Sequence, residues 1–315
     1  MSILFRHIQI SIACLMALLI AVGCGDDPVT TSQPYFDEAS PEPGAPLSEY
    51  ERRFGDSHLV RYAAPFPENT AILNDSARRG PGLPLMLQGD YSIEADGGLR
   101  IDGDGPDEAG GIATPGDDAR LPQRLRDAMA GSGFTAEFFV HTGGITIHGG
   151  ISSPARVFAI GEGIANNTLV GGFHEQVEGA LELQFQLPDA HFERRTFMKT
   201  SVVRHDQAHH VALVYRREGE RLGLYVDGQL ESTAVWERLD DSTPQQISQA
   251  DLPEALFSTV GDNELFVVAN TPRGTTRYFS GIIYHMAIHD RAHDADEISA
   301  MNELLRQRYC GQEGC

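Results

Sequence analysis

The chain has 315 residues, a formal net charge of −21 and 41% hydrophobic side chains. An acidic excess of that size excludes a phosphate-binding surface for nucleic acid, which needs clustered Lys and Arg. The apolar content suffices for a sizeable core. Its 33 Gly and 17 Pro, with few stretches of helical period, point to a turn-rich β protein that a single sandwich domain accommodates.

Residues 1–23 read as a targeting segment. Arg6 supplies the positive start, and Ile12 to Val22 is an unbroken apolar run. The run is shorter than the roughly 20 residues a membrane-spanning helix needs. Leu19-Ile20-Ala21-Val22-Gly23-Cys24 resembles the bacterial lipobox, with Ala21 where that motif often carries Leu. The resemblance implies lipid attachment at Cys24, anchoring to a bacterial membrane or cell surface, and export. The competing reading is an ordinary secretory signal with an incidental Cys24. Residues 24–57 have the composition of a disordered tether, with Pro28, Pro34, Pro41, Pro43 and Pro46 among acids and small polar residues.

A folded domain is expected over residues 58–309, followed by a short Cys-bearing tail, 310–315. Leu59 to Tyr62 reads as a first strand. Leu83 to Leu87, Tyr91 to Glu94 and Leu99 to Asp102 are short strands between Gly- and Asp-rich turns. Leu121 to Ala130 predicts a helix with Leu121, Leu125 and Met129 on one face, stopped by Gly131. Strands then recur at Thr135–His141, Arg156–Gly161, Thr168–Gly172, Leu181–Leu187, Val211–Tyr215, Leu222–Val226, Glu264–Ala269 and Gly281–His289. Asp227-Gly228 between alternating apolar runs is a hairpin signal, because a type I′ turn needs positive φ at both central residues. Ala295 to Arg308 predicts a terminal helix with Ile298, Met301, Leu304 and Leu305 as its apolar stripe and Asp294 as its cap. Strands with no helix between them predict an all-β, antiparallel β-sandwich with one or two short helices.

Three blocks carry a family resemblance. His210-Val211-Ala212-Leu213-Val214-Tyr215, a polar turn, then Leu224-Tyr225-Val226-Asp227-Gly228 is one. Phe279-Ser280-Gly281-Ile282 through Ala287-Ile288-His289-Asp290-Arg291-Ala292 is the second, and Phe134-Thr135-Ala136-Glu137-Phe138-Phe139-Val140 the third. Together they resemble the LamG-like, concanavalin A-like lectin/glucanase jelly-roll domains. The chain departs from that pattern with Phe279 for a frequent Trp, His289 for Tyr and His293 for Leu. The resemblance implies a jelly roll and a non-catalytic module that binds glycan or protein at the cell surface. The alternatives are a glycoside hydrolase of the glucanase branch and a purely structural envelope module. Hydrolysis needs two carboxylates at a set separation. The glucanase run E-x-D-x-x-E is missing, since Glu94-Ala95-Asp96 is followed by Gly97-Gly98-Leu99.

Candidate sites follow from chemistry. Asp102, Asp104, Asp107 and Glu108 are the candidate Ca²⁺ ligands, an ion that prefers several oxygens. The competing reading is a solvated acidic turn. Trp236, the only tryptophan, lies in the loop-like stretch AVWERLDDS and is the candidate for stacking on a sugar, or else an edge cover for the sandwich. Cys310 and Cys315 are expected to form a small disulfide in an exported protein. His285, His289 and His293 recur every four residues. On a strand that step spans about 13 Å, which speaks against one shared ion.

Overall fold

A computed structural model describes residues 48–78, 82–101, 112–115, 123–144, 155–162, 166–177, 180–187, 194–204, 207–219, 221–239, 243–252, 256–257, 264–267 and 279–311. All lie in the compact unit formed by residues 39–315. In chain order they form α1 (Glu49–Phe54), β1 (His58–Ala63), β2 (Ile72–Leu73), β3 (Leu85–Gln88), β4 (Tyr91–Ile93), β5 (Leu99–Ile101) and β6 (Ile112–Pro115). Then come α2 (Gln123–Ala130), β7 (Gly133–Gly144), β8 (Ala155–Glu162), β9 (Asn166–Val177), β10 (Ala180–Gln186), β11 (Arg194–Arg204) and β12 (Ala208–Arg216). The chain closes with β13 (Arg221–Val226), β14 (Gln229–Ser232), β15 (Val235–Leu239), β16 (Gln245–Ile247), β17 (Glu264–Val267), β18 (Ser280–His289) and α3 (Ala295–Tyr309).

Two antiparallel sheets stack face to face. The first runs β14-β13-β12-β7-β18-β5-β4, with β1 also paired to β18. The second runs β16-β15-β11-β10-β9-β8-β17-β6-β3-β2. Non-sequential neighbours such as β7 between β12 and β18 are what a sandwich with crossing connections produces. The all-β expectation holds.

The central strand β7 shows why. Its side chains alternate, so Phe134, Ala136, Phe138 and Val140 point between the sheets. There the Phe138 ring meets Phe158, Phe173 and Phe185 of the second sheet, with centroids 6.0 to 6.2 Å apart. The opposite set, Thr135, Glu137 and Phe139, faces outward yet is also buried. Helices roof it. In α3 the residues Ile298, Met301 and Leu305 are buried, and Tyr309 packs on Phe139 and Tyr284.

The hairpin pairs Val211 with Val226 through to Arg216 with Arg221. Asp227 (φ 51°) and Gly228 (φ 81°) then turn into β14 with the left-handed backbone a type I′ turn demands. Asp227 also fastens the helix. It accepts from the His210 amide at 3.1 Å and from Arg306 at 3.0 Å, and His209 Nδ1 lies 2.9 Å away.

Two expectations are corrected. The tether does not reach residue 57. Ser48 and Glu51 close a capping box around α1, and Tyr50 and Phe54, one turn apart, bury one face of it. A pair of aromatics on one side of a single turn is what makes so short a helix stable, since packing rather than propensity carries it. Trp236 lies on strand β15, paired with Phe197 of β11, and not in a loop.

Because Phe54 is 1% exposed, Phe54→Ala should cost about 3–5 kcal/mol in urea-induced unfolding of residues 48–315. A loss within about 0.5 kcal/mol, the scale of surface substitutions, would return α1 to the tether.

Candidate functional site

Under the helical roof, four elements converge on one carboxylate. Glu137 stands mid-strand in β7, opposite Ala287 of β18 and Ala212 of β12. These two small residues leave room above the sheet, and histidines fill it. His285 and His289 flank Ala287 on the same face of β18. Their Nε2 atoms lie 3.1 and 2.9 Å from Glu137 Oε1. His210 Nε2 reaches Oε2 at 2.8 Å from β12. The Tyr50 hydroxyl of α1 donates to Oε1 from above. It lies 3.4 Å from His58 Nε2 and 3.3 Å from His285 Nε2. Glu137, His210, His285 and His289 are all 0% exposed, and His58 is 2% exposed.

The hydrogen bonds assign protons. Ser57 Oγ donates its one proton to the Phe54 carbonyl at 2.7 Å, so it accepts from His289 Nδ1 at 2.8 Å. His289 thus spans Ser57 and Glu137 through its two ring nitrogens. The buried carboxylate is thus surrounded by hydrogen-bond partners, the condition under which burial of a polar group is tolerated.

The neighbours respond accordingly. Burial alone would raise the Glu137 carboxyl, but hydrogen bonds from His210, His285 and His289 hold it well below the ordinary carboxylate range. Burial, with the His289 charge next, keeps His58 well below the usual histidine value. His285 is pushed down to about 4 by burial, against the pull of Glu137. His293 is also lowered to about 4, by burial and then by His289. Burial and the Glu137 charge raise Tyr50 well above 10, so it stays a neutral donor. Arg61 closes the outer side. Its guanidinium stacks 5.7 Å from the Tyr50 ring and pairs with Glu51 at 2.9 Å. Among the described residues, His58, Glu137 and His289 are the set whose donor atoms all lie within 4.8 Å of one another, close enough to hold a metal ion.

The four-residue step keeps His285 and His289 from being a metal pair by themselves, yet both reach Glu137 Oε1. Their backbone positions are far apart, but their rings lean toward each other and meet one carboxylate between them. His293, at the end of the same run, contacts Ser57 Oγ at 3.4 Å and Glu297 at 3.1 Å instead. Sequence reading missed Glu137. Its signal was a lone acid in the apolar strand Phe134–Val140, with paired and periodic histidines in the two strand blocks that flank it in the sheet.

Trp236 occupies a second place, on the outer face of the second sheet. It is half-buried, paired with Phe197 on one side and Gln246 on the other. The Lys199 ammonium lies 5.0 Å over its ring and 3.3 Å from Glu182. Beside it opens a cleft of about 430 Å³ lined by Arg221, Thr233, Ala234, Gln246 and Ser248 among others. Cys310 sits at the C-terminal cap of α3. Cys24, Asp102, Asp104, Asp107, Glu108 and Cys315 lie outside the described residues.

The histidine centre predicts acid sensitivity. His58, His285 and His293 bind protons more weakly folded than unfolded. Their contribution is complete above about pH 6.5 and is lost as pH falls toward 4. For His285 alone this amounts to up to about 3 kcal/mol. The Glu137 contribution persists lower and goes only when that depressed carboxyl is protonated. The melting temperature of chelator-treated protein should therefore drop between pH 6.5 and 4. A melting temperature flat across that window would contradict buried neutral histidines.

With the geometry in place, comparisons with known proteins are informative. No curated protein sequence matches this chain. Similar solved structures include a receptor-binding domain at 14% identity and TM-score 0.50, covering 82% of this chain and 53% of that one. A botulinum neurotoxin type C structure, described by its interaction with two ganglioside molecules, matches at 11% identity and TM-score 0.49 over 80% of this chain and 52% of its own. A Trypanosoma rangeli sialidase in complex with sialic acid matches at 17% identity and TM-score 0.47, over 81% of this chain and 34% of its own. This chain thus spans about half the length of the first two and about a third of the sialidase. Residues 113–299 match the laminin G-type family model, and the chain belongs to the concanavalin A-like lectin/glucanase superfamily.

Proposed function

We propose that this protein is an exported, lipid-anchored and non-catalytic module that binds carbohydrate on the outer face of its second sheet. The observation that carries the reading is the surface around Trp236. Of the two outer faces, that of the first sheet is roofed by α1 and α3 where Glu137 stands. The second presents a half-buried indole edged by Lys199, Glu182 and Gln184, all on one face of β10 and β11. An aromatic plane ringed by donors and acceptors suits a sugar, which offers an apolar C–H face and a rim of hydroxyls. The cleft lined by Gln246, the cross-strand partner of Trp236, gives further sugar units a place to lie. Membership of a lectin/glucanase superfamily supports the same class of ligand, although one fold hosts many activities.

The N-terminal features complete the proposal. Cys24 is the lipid attachment point, and the Pro-rich segment after it holds the domain off the membrane. Cys310 and Cys315 pair to close the tail.

The expected outcome of a glycan-array screen is binding without turnover. Trp236→Ala should weaken that binding about tenfold, the scale of one lost aromatic contact of about 1.5 kcal/mol, with the β-rich circular dichroism spectrum retained. Hydrolysis of an arrayed polysaccharide, abolished by changing one carboxylate, would overturn the binding reading in favour of the glucanase one. Separately, Cys24→Ser should move the protein from the membrane fraction to the soluble one. An unchanged membrane fraction would rule out Cys24 as the anchor.

A further inference from the structure

We infer that His58, Glu137 and His289 form a binding site for one first-row divalent transition metal ion, of the zinc class, that fastens the N-terminal edge of the domain to its first sheet. The three donors come from β1, β7 and β18, and their ligating atoms lie within 4.8 Å of one another. They need only small adjustments to approach one ion at the roughly 2.0–2.2 Å typical of imidazole and carboxylate ligands.

The donor set points to the metal class. Two imidazoles and one carboxylate suit zinc and its neighbours, whereas calcium and magnesium call for oxygen on nearly every side. The surroundings are those of a built site. All three ligands are buried. His289 is oriented through its other nitrogen by Ser57, itself held by the Phe54 carbonyl. Such a fixed outer partner is the usual companion of a metal-ligating histidine. A fourth group is at hand, since His285 Nε2 shares Glu137 Oε1 and the Tyr50 hydroxyl bonds the same oxygen. An ion would take the place of the protons that now bridge the imidazole of His289 to the carboxylate.

One further observation separates this centre from an ordinary satisfied core network. His210 Nδ1 and His285 Nδ1 are buried and have no hydrogen-bond partner among the described residues. Such orphaned buried nitrogens call for an explanation, and a nearby ion is one that the geometry offers. The ligands also sit at a mechanically sensible place. α1 and β1 are the first described elements of the chain, and among the described strands β1 pairs with β18 alone. A metal bridging β1 to β7 and β18 resists peeling there.

The test uses the purified full chain, stripped with a chelator and dialysed. Titration with Co²⁺, followed by its visible absorption band, and with Zn²⁺, followed by calorimetry and elemental analysis, should give one ion per chain and a raised melting temperature. His58→Ala and His289→Ala should each abolish stoichiometric binding. Ser57→Ala should weaken it by roughly 10- to 100-fold, as loss of an outer partner does. His209→Ala, next to the centre but bonded to Asp227, should leave binding intact. Should His289→Ala fail to fold by circular dichroism, His58→Ala and the wild-type stoichiometry decide. Folded wild-type protein that takes up neither Co²⁺ nor Zn²⁺, or a folded His58→Ala variant that binds as well as wild type, would overturn the site. Neither result bears on glycan binding at Trp236, so the two ideas fail independently.

Discussion

Everything on the roofed side of this sandwich depends on one fully buried carboxylate. A polar group in a protein interior is tolerated only when its lone pairs are filled. Glu137 meets that condition with a tyrosine from α1, one histidine from β12 and two from β18. Three strands and a helix that are distant in sequence are therefore positioned by a single acceptor. The hydrogen bonds are directional, so they also set where the helices sit, which apolar contact alone leaves loose.

The same device recurs in smaller form. Asp75 is buried beside β1, accepting from the amides of Arg61, Ala77 and Leu83 and pairing with Arg124 of α2. Asp227 holds β12 and α3 together at the hairpin turn. In each case a carboxylate gathers backbone amides or basic side chains from elements that strand pairing does not reach. An acidic protein thus uses some of its excess charge as internal fasteners.

The consequence for function is an asymmetry. At Glu137 the first sheet's outer face is closed by helices and filled with histidines, so no extended ligand can lie across it there. The second sheet's outer face carries the indole, the ammonium and the carboxamide that a sugar would meet. The sandwich thus separates a buried, polar layer under the helices from the half-buried indole on its other side.

Much of this was legible in the residues themselves. Period-two alternation in Phe134–Val140, Val211–Tyr215 and Leu222–Val226 identified strands, and Asp227-Gly228 identified their turn, because both signals are local consequences of backbone geometry. The capped terminal helix was legible for the same reason. Tyr50 and Phe54 were not, since a proline-rich run precedes them and their stability comes from distant packing. Trp236 was placed in a loop because the short strand β15 owes its form to its partners on β11 and β16. Glu137 stayed hidden for a deeper reason. Its partners lie as far as 152 positions away along the chain, and nothing local distinguishes an outward acid in water from one beneath a helix. Sequence alone determined that the chain alternates, turns and closes as a β-sandwich. Only tertiary structure decided which face would be roofed, and so brought five histidines, a tyrosine and a glutamate from separate parts of the chain into one buried space.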